Sequence, residues 1–177
     1  MSNDKESLSC DTFAVRRCEA RDRDAVLTLL PPDVMDSQLS RKSIHVPINS
    51  IDAVFVGKHH VWVAEAFGRI IGSVTVIRNN DSLAHLTCMC IAPGFAEGTL
   101  VARRLAEKAV RDAWERGYIK LVVHTRLPRN RLAADLHELG FEFSRETSKG
   151  GEHMLEFYQN LYERPRSELR DTRSSGG

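Results

Sequence analysis

Apolar and polar positions change period several times along this chain, and each change marks an element. In Thr12–Glu19, Phe13 and Val15 supply strand propensity, which predicts a first strand. From Arg21 to Leu30 the spacing becomes helical: Ala25, Val26, Leu29 and Leu30 share a face, Asp22 or Asp24 suits the first turn, and Pro31-Pro32 ends it. The pattern fades from Asp33 to Ile51, with Pro47 and Asn49 inside it, and reads as an irregular segment over the core edge. His60–Ala66 and Ile70–Ile77 are β-rich runs joined by Phe67-Gly68-Arg69, so they pair as a hairpin. After a turn at Asn79-Asn80-Asp81, Leu83–Ile91 supplies a third strand, broken at Pro93-Gly94.

Thr99–Arg116 carries the strongest helical pattern. Val101, Leu105, Ala109, Val110, Ala113 and Trp114 fall on one face, Arg103, Arg104, Lys108, Arg111 and Glu115 largely elsewhere, and Gly117 closes it. Ile119–Thr125 is a strand. Arg129–Leu139 repeats Leu132, Leu136 and Leu139 at helical spacing and stops at Gly140. Phe141–Phe143 and His153–Phe157 form a last pair of strands around Lys149-Gly150-Gly151. Helices feeding such a strand order give an α/β fold of the α+β type, a mixed, largely antiparallel twisted sheet flanked by helices. The expected organisation is a mobile leader over residues 1–11, one domain over 12–160, and a disordered, charged tail over 161–177.

Composition narrows the classes. With 177 residues the chain can bury a core without disulfides or metal. Twenty-five Lys and Arg against twenty-four Asp and Glu leave a net charge of +1, which argues against a bulk nucleic-acid binder but permits a local basic pocket. No run approaches the roughly 20 apolar residues of a membrane helix, and the polar start lacks a signal core. Four irregularly spaced cysteines make no disulfide framework, so a reduced, cytoplasmic protein is the default. Cys88 and Cys90 read as small side chains on one strand face rather than as a zinc site. His59-His60 reads as a solvated turn, and Trp62 and Trp114 read as core. His124 reads equally as a lining of an acceptor site or as buried against a helix.

Several short stretches, in order, carry a resemblance. They are Val15-Arg16-Arg17 with Ala20-Arg21-Asp22-Arg23-Asp24, Val63-Ala64-Glu65 with Gly68 and Ile70-Ile71-Gly72, and Ile91-Ala92-Pro93-Gly94-Phe95. Leu136-His137-Glu138-Leu139-Gly140-Phe141 completes the series. Over residues 13 to 158 the chain resembles the GNAT superfamily of acetyl-coenzyme-A-dependent N-acyltransferases. The resemblance implies acetyl-CoA as co-substrate and a primary amine as acceptor, a small molecule or a protein amino group. Direct attack in a ternary complex would join them. With the charge balance and the lack of a long apolar run, no nucleic-acid or membrane partner is expected, and a homodimer is left open. The rival reading is a catalytically weak or inactive relative serving as an acyl-CoA sensor or interaction module.

The resemblance also places a site. The family's pyrophosphate loop falls on Ala96-Glu97-Gly98-Thr99-Leu100-Val101, where the usual arginine and both motif glycines are missing. Backbone N–H groups at a helix start bind phosphate whatever their side chains, and Arg103 and Arg104 are the nearest compensating cations. Third-strand N–H groups around Met89, Cys90, Ile91 and Ala92 would hold the thioester carbonyl and pantetheine arm. Asn130 would lie near the cofactor, besides capping the last helix. The family's tyrosine acid is replaced by His137, or by Leu136 if the one-residue gap lies elsewhere. No carboxylate occurs on the third strand, so His85 is the candidate base, with Asp81 and Glu65 as runners-up.

Overall fold

The computed structural model describes residues 13–29, 59–94, 98–126, 134, 136–149 and 152–162. Among the described residues seven strands form one sheet: β1 (Ala14–Arg17), β2 (His59–Ala66), β3 (Arg69–Arg78), β4 (Leu83–Ile91), β5 (Lys120–Arg126), β6 (Glu142–Lys149) and β7 (Glu152–Asn160). Their order is β1-β2-β3-β4-β5-β7-β6. Every pairing is antiparallel except β4 with β5. Helix α1 (Arg23–Leu29) follows a 3-10 turn at Ala20–Asp22, and helix α2 (Gly98–Glu115) joins β4 to β5. The mixed, largely antiparallel sheet flanked by helices is the fold the sequence predicts.

Local chemistry accounts for the joints. Ala66 pairs with Arg69, leaving Phe67 and Gly68 as a two-residue turn with φ of 51° and 72°. Positive φ at both positions matches the right-handed twist of the strands, so the loop is one residue tighter than the sequence spacing implies. Helix α2 ends in a Schellman motif: Gly117 N–H donates to the Trp114 carbonyl and Tyr118 N–H to that of Ala113. The same pattern closes the last helix, of which 136–138 are described, with Gly140 N–H donating to His137 and Phe141 N–H to Leu136.

The core lies between the sheet and α2. Val74, Val76, Leu86 and Leu121 meet Val101, Leu105 and Val110, and Leu136, Leu139 and Phe141 extend this layer. On the opposite face Val26 of α1 packs on Val61 and Val63. Trp62 and Trp114 border the core rather than fill it, and Lys108 lies over the Trp62 ring at 4.7 Å. Leu161 is fully buried and its N–H donates to Ile119, so packing continues one residue beyond 160. Residues 1–11 and most of 161–177 lie outside the described residues.

Three local expectations change. The last hairpin is much longer than Phe141–Phe143 and His153–Phe157, because β6 is an exposed edge strand whose polar sequence carries no alternation. His59 and His60 are not in a turn but open β2, half-buried, with His60 Nδ1 2.6 Å from Arg17 Nη2. Burial pushes the His60 imidazole below its usual range, and the nearby Arg116 charge adds to this. Along β4, Thr87 faces Thr75 and Cys90 faces Ser73, so two residues, Cys88 and Met89, oppose Val74 alone. This bulge breaks the regular two-residue alternation of the β4 backbone.

Gly140 offers a test of the second helix stop. Its φ is +85°, and an added Cβ would sit 2.9 Å from Gln159 Nε2, whose amide donates to the Leu139 carbonyl. Gly117 has nearly the same φ, +82°, but open space around it. Alanine is expected to cost about 1 kcal/mol at Gly117, the ordinary left-handed penalty, and about 2 kcal/mol at Gly140. Denaturant unfolding of the two variants side by side reads the difference.

Candidate active site

The sheet opens where its single parallel pair comes apart. β4 and β5 pair from Leu83↔Lys120 to Leu86↔Val123 and no further among the described residues. Beyond that point β4 stays with β3 as far as Ile91, while β5 stays with β7 as far as Arg126. Each strand follows its antiparallel neighbour, and a slot forms between them. The β4 bulge at Cys88-Met89 lies on the rim of this slot and adds local twist.

Past Leu86 the described residues of β4 stand in register with β3 on one side and no longer with β5 on the other. Ala92 N–H donates to the Ile71 carbonyl at 2.8 Å, so it points to β3 and is not a slot donor. Alternation along the extended chain turns the N–H of Ile91 the other way, toward the opening. Of the third-strand positions, Met89 and Ile91 lay their side chains against the core and Cys90 is buried. Their contribution to a ligand would come from the main chain.

Helix α2 begins beside this rim because two glycines let it. A Cβ on Gly72 would lie 3.0 Å from each of Ile91 Cδ1, Leu105 Cδ1 and Val101 Cγ1, and one on Gly98 3.4 Å from Ile91 Cγ2. The start of α2 therefore rests directly on the end of β4. Thr99 and Leu100 are exposed in its first turn, Val101 is buried and offers only its backbone, and the described first turn holds no acidic residue. The N–H groups of a helix's first turn and the positive end of its dipole favour a phosphate. Ala96, Glu97 and Asn130 lie outside the described residues.

The two arginines expected to assist are engaged elsewhere. Arg103 pairs with Glu107 at 3.1 Å and with Glu138 at 3.3 Å, and Arg104 lies 5.3 Å over the Phe13 ring. The Arg103 pairs are solvent-exposed and weak, so a polyanion could compete for that guanidinium.

Four polar side chains cross the sheet on the face opposite α2, at the head of the slot. The His85 and His124 rings stack with centroids 5.6 Å apart and planes 16° apart. His124 Nε2 lies 3.2 Å from Glu156 Oε2, and Arg145 Nη2 donates to that same oxygen at 3.2 Å. Burial pushes the Glu156 carboxyl up, but hydrogen bonds from Arg145 and Ser144, the Arg145 charge and His124 outweigh it and hold the group below its ordinary value. The carboxylate is thus charged and only 12% exposed. His85 stands within the closed part of the parallel pair, opposite Val122, whereas His124 is the first β5 residue past the parting.

The remaining candidates are dispersed. His137 is exposed on the last helix, next to the Glu138 that pairs with Arg103, while Leu136 is buried in the core. Glu65 is tied to Arg16 at 2.6 Å, and Asp81 sits in the β3–β4 turn, at the far end of β4 from the slot, paired with Arg78. Glu156 escaped the sequence reading altogether; its signal was a carboxylate in the middle of an apolar strand, HMLEF. The described residues contain no cluster of three or more metal-ligating side chains and no helix long and apolar enough to cross a membrane.

A twisted sheet with one opened parallel pair, its rim lying against a helix start, is the arrangement that the resemblance in the sequence implies. The chain belongs to the acetyltransferase (GNAT) family, whose model matches residues 29–141. Solved structures share the fold. An aminoglycoside 6'-N-acetyltransferase from Enterococcus faecium superposes with a TM-score of 0.64 at 10% identity, over 86% of this chain and 99% of its own. A GNAT family acetyltransferase from Elizabethkingia anophelis with acetyl-CoA bound gives 0.59 at 15%, over 85% and 99%. A ribosomal-protein-alanine N-acetyltransferase from Brucella melitensis gives 0.64 at 17%, over 83% and 99%. At such identities the likeness is one of fold. No curated protein matches the chain by sequence.

Proposed function

We propose that this protein moves an acetyl group from acetyl-CoA to a primary amine, by direct attack within a ternary complex. The observation that carries the reading is the parting of β4 and β5 after Leu86 and Val123, beside the start of α2. An elongated thioester with a phosphate-bearing end fits this arrangement: the slot takes the pantetheine arm and the helix start takes the pyrophosphate. The orientation of Ile91 N–H toward the opening supports a donor for the thioester carbonyl, where negative charge develops during acyl transfer. His85 and His137 remain the proton-handling candidates of the sequence, with His137 giving a proton to the leaving CoA thiolate. The acceptor is a small amine or a protein amino group. A cytoplasmic location completes the reading.

Calorimetric titration with acetyl-CoA, followed by assay of free CoA release over a panel of amines, tests the proposal. Binding with amine-dependent release is the expected result. Binding without release on any amine favours the sensor reading, and absence of binding at high micromolar acetyl-CoA removes both.

A further inference from the structure

We propose that His124, oriented by Glu156 and stacked on His85, is the residue that takes the proton from the acceptor amine. The inference rests on the acetyl-transfer reading above and assigns its base to β5 instead of β4. Position is the first argument. His85 lies where β4 and β5 are still paired, and the pair closes one residue after it, at Leu86↔Val123. His124 follows that last pair directly and so stands at the head of the slot.

Orientation is the second argument. A carboxylate only accepts hydrogen bonds, so the contact between His124 Nε2 and Glu156 Oε2 places the imidazole hydrogen on Nε2. The Nδ1 lone pair is then left as the acceptor. Arg145 and Ser144 hold Glu156 in place and charged. A base fixed by a third group is the general arrangement of an activated nucleophile site. The charged and titratable groups around His124 among the described residues are His85 from β4, Glu156 from β7 and, through Glu156, Arg145 from β6.

The step balances simply. The amine nitrogen forms a bond to the acetyl carbon, and the bond from that carbon to the CoA sulfur breaks with its electron pair going to sulfur. Nitrogen loses one proton to His124 Nδ1, and the thiolate regains one from His137 or solvent.

Three measurements test the assignment. Long-range proton–nitrogen correlation of the imidazole rings should show His124 with hydrogen on Nε2, and its signals should move when acetyl-CoA is added. His124→Gln should lower kcat roughly 100-fold, with acetyl-CoA affinity unchanged and the ascending limb of the kcat/KM pH profile lost. Glu156→Gln should give an intermediate loss. Hydrogen on Nδ1 of His124, or a His124→Gln enzyme that keeps its rate and its ascending limb, overturns the assignment. Loss of the limb in His85→Gln alone returns the role to β4. A wild-type protein that binds acetyl-CoA but releases no CoA with any amine sinks the acetyl-transfer reading, and the proton-accepting role with it. The other failures leave that reading standing.

Discussion

Gly72→Val is expected to unfold at markedly lower denaturant and to bind acetyl-CoA more weakly than the wild type. A Cβ at this position meets three aliphatic tips at once, from Ile91, Val101 and Leu105, each at 3.0 Å. Tips of this kind yield a few tenths of an ångström, which a single methyl group needs. Valine adds two further methyls in the same direction, and Leu105 and Val101 are fully buried with no free volume to enter. The strain must therefore lift the start of α2 from the end of β4. Overpacking of this kind costs about 1–3 kcal/mol, and valine's preference for a strand recovers only part of it. The second consequence is separable from the first. Because α2 and the β4 rim are the two sides of the proposed cofactor site, affinity should fall by at least several-fold in protein that remains folded. Denaturant unfolding and acetyl-CoA calorimetry on Gly72→Ala and Gly72→Val give the series; equal affinity in both would show that the register of α2 on β4 does not matter to the ligand.

Asp22→Asn is expected to destabilise the protein by about 2 kcal/mol near neutral pH, with the deficit shrinking in acid. Asp22 is only 5% exposed and accepts from Arg16 Nη1 at 2.6 Å and Nη2 at 2.9 Å, and from Glu19 N–H at 2.8 Å. Arg16 also reaches Glu65, so one guanidinium ties β1, β2 and the turn before α1. The hydrogen bond from Arg16 holds the Asp22 carboxyl below its ordinary value against the opposing effect of burial; the Glu19 N–H and the charges of Arg16 and Arg21 add to the lowering. A depressed carboxyl contributes stability above its unfolded value, about pH 4, and loses it as the pH falls toward the folded value. Wild type should therefore lose this increment below about pH 4 while Asp22→Asn does not, so the two stability curves converge. Parallel curves from pH 7 to pH 3 would show that the carboxylate charge is not what holds this corner.

Much of the architecture was legible because it depends on local rules. The limits of β4 are legible to the residue, and those of α2 to within one, because an apolar β-rich run between turn residues, helical spacing and a glycine in a left-handed cap are short-range signals. The final hairpin was read too short because an edge strand such as β6 is solvated and has no face to mark. The start of α2 was legible to within one residue, but the fate of Arg103 and Arg104 was not. Their partners, Glu138 and Phe13, lie 35 and 91 positions away in sequence.

The amino-acid sequence by itself determined the element order, the largely antiparallel sheet and the family, because hydrophobic period and turn chemistry act within a few residues. Tertiary structure alone decided where β4 and β5 part, and which polar groups meet there. Parting is a competition between neighbouring strand pairs, and no single strand carries its outcome. His85, His124, Glu156 and Arg145 come from four different strands, and only the sheet's register sets them in one row. That row could not be read from a chain in which His85 and Glu156 stand seventy-one positions apart.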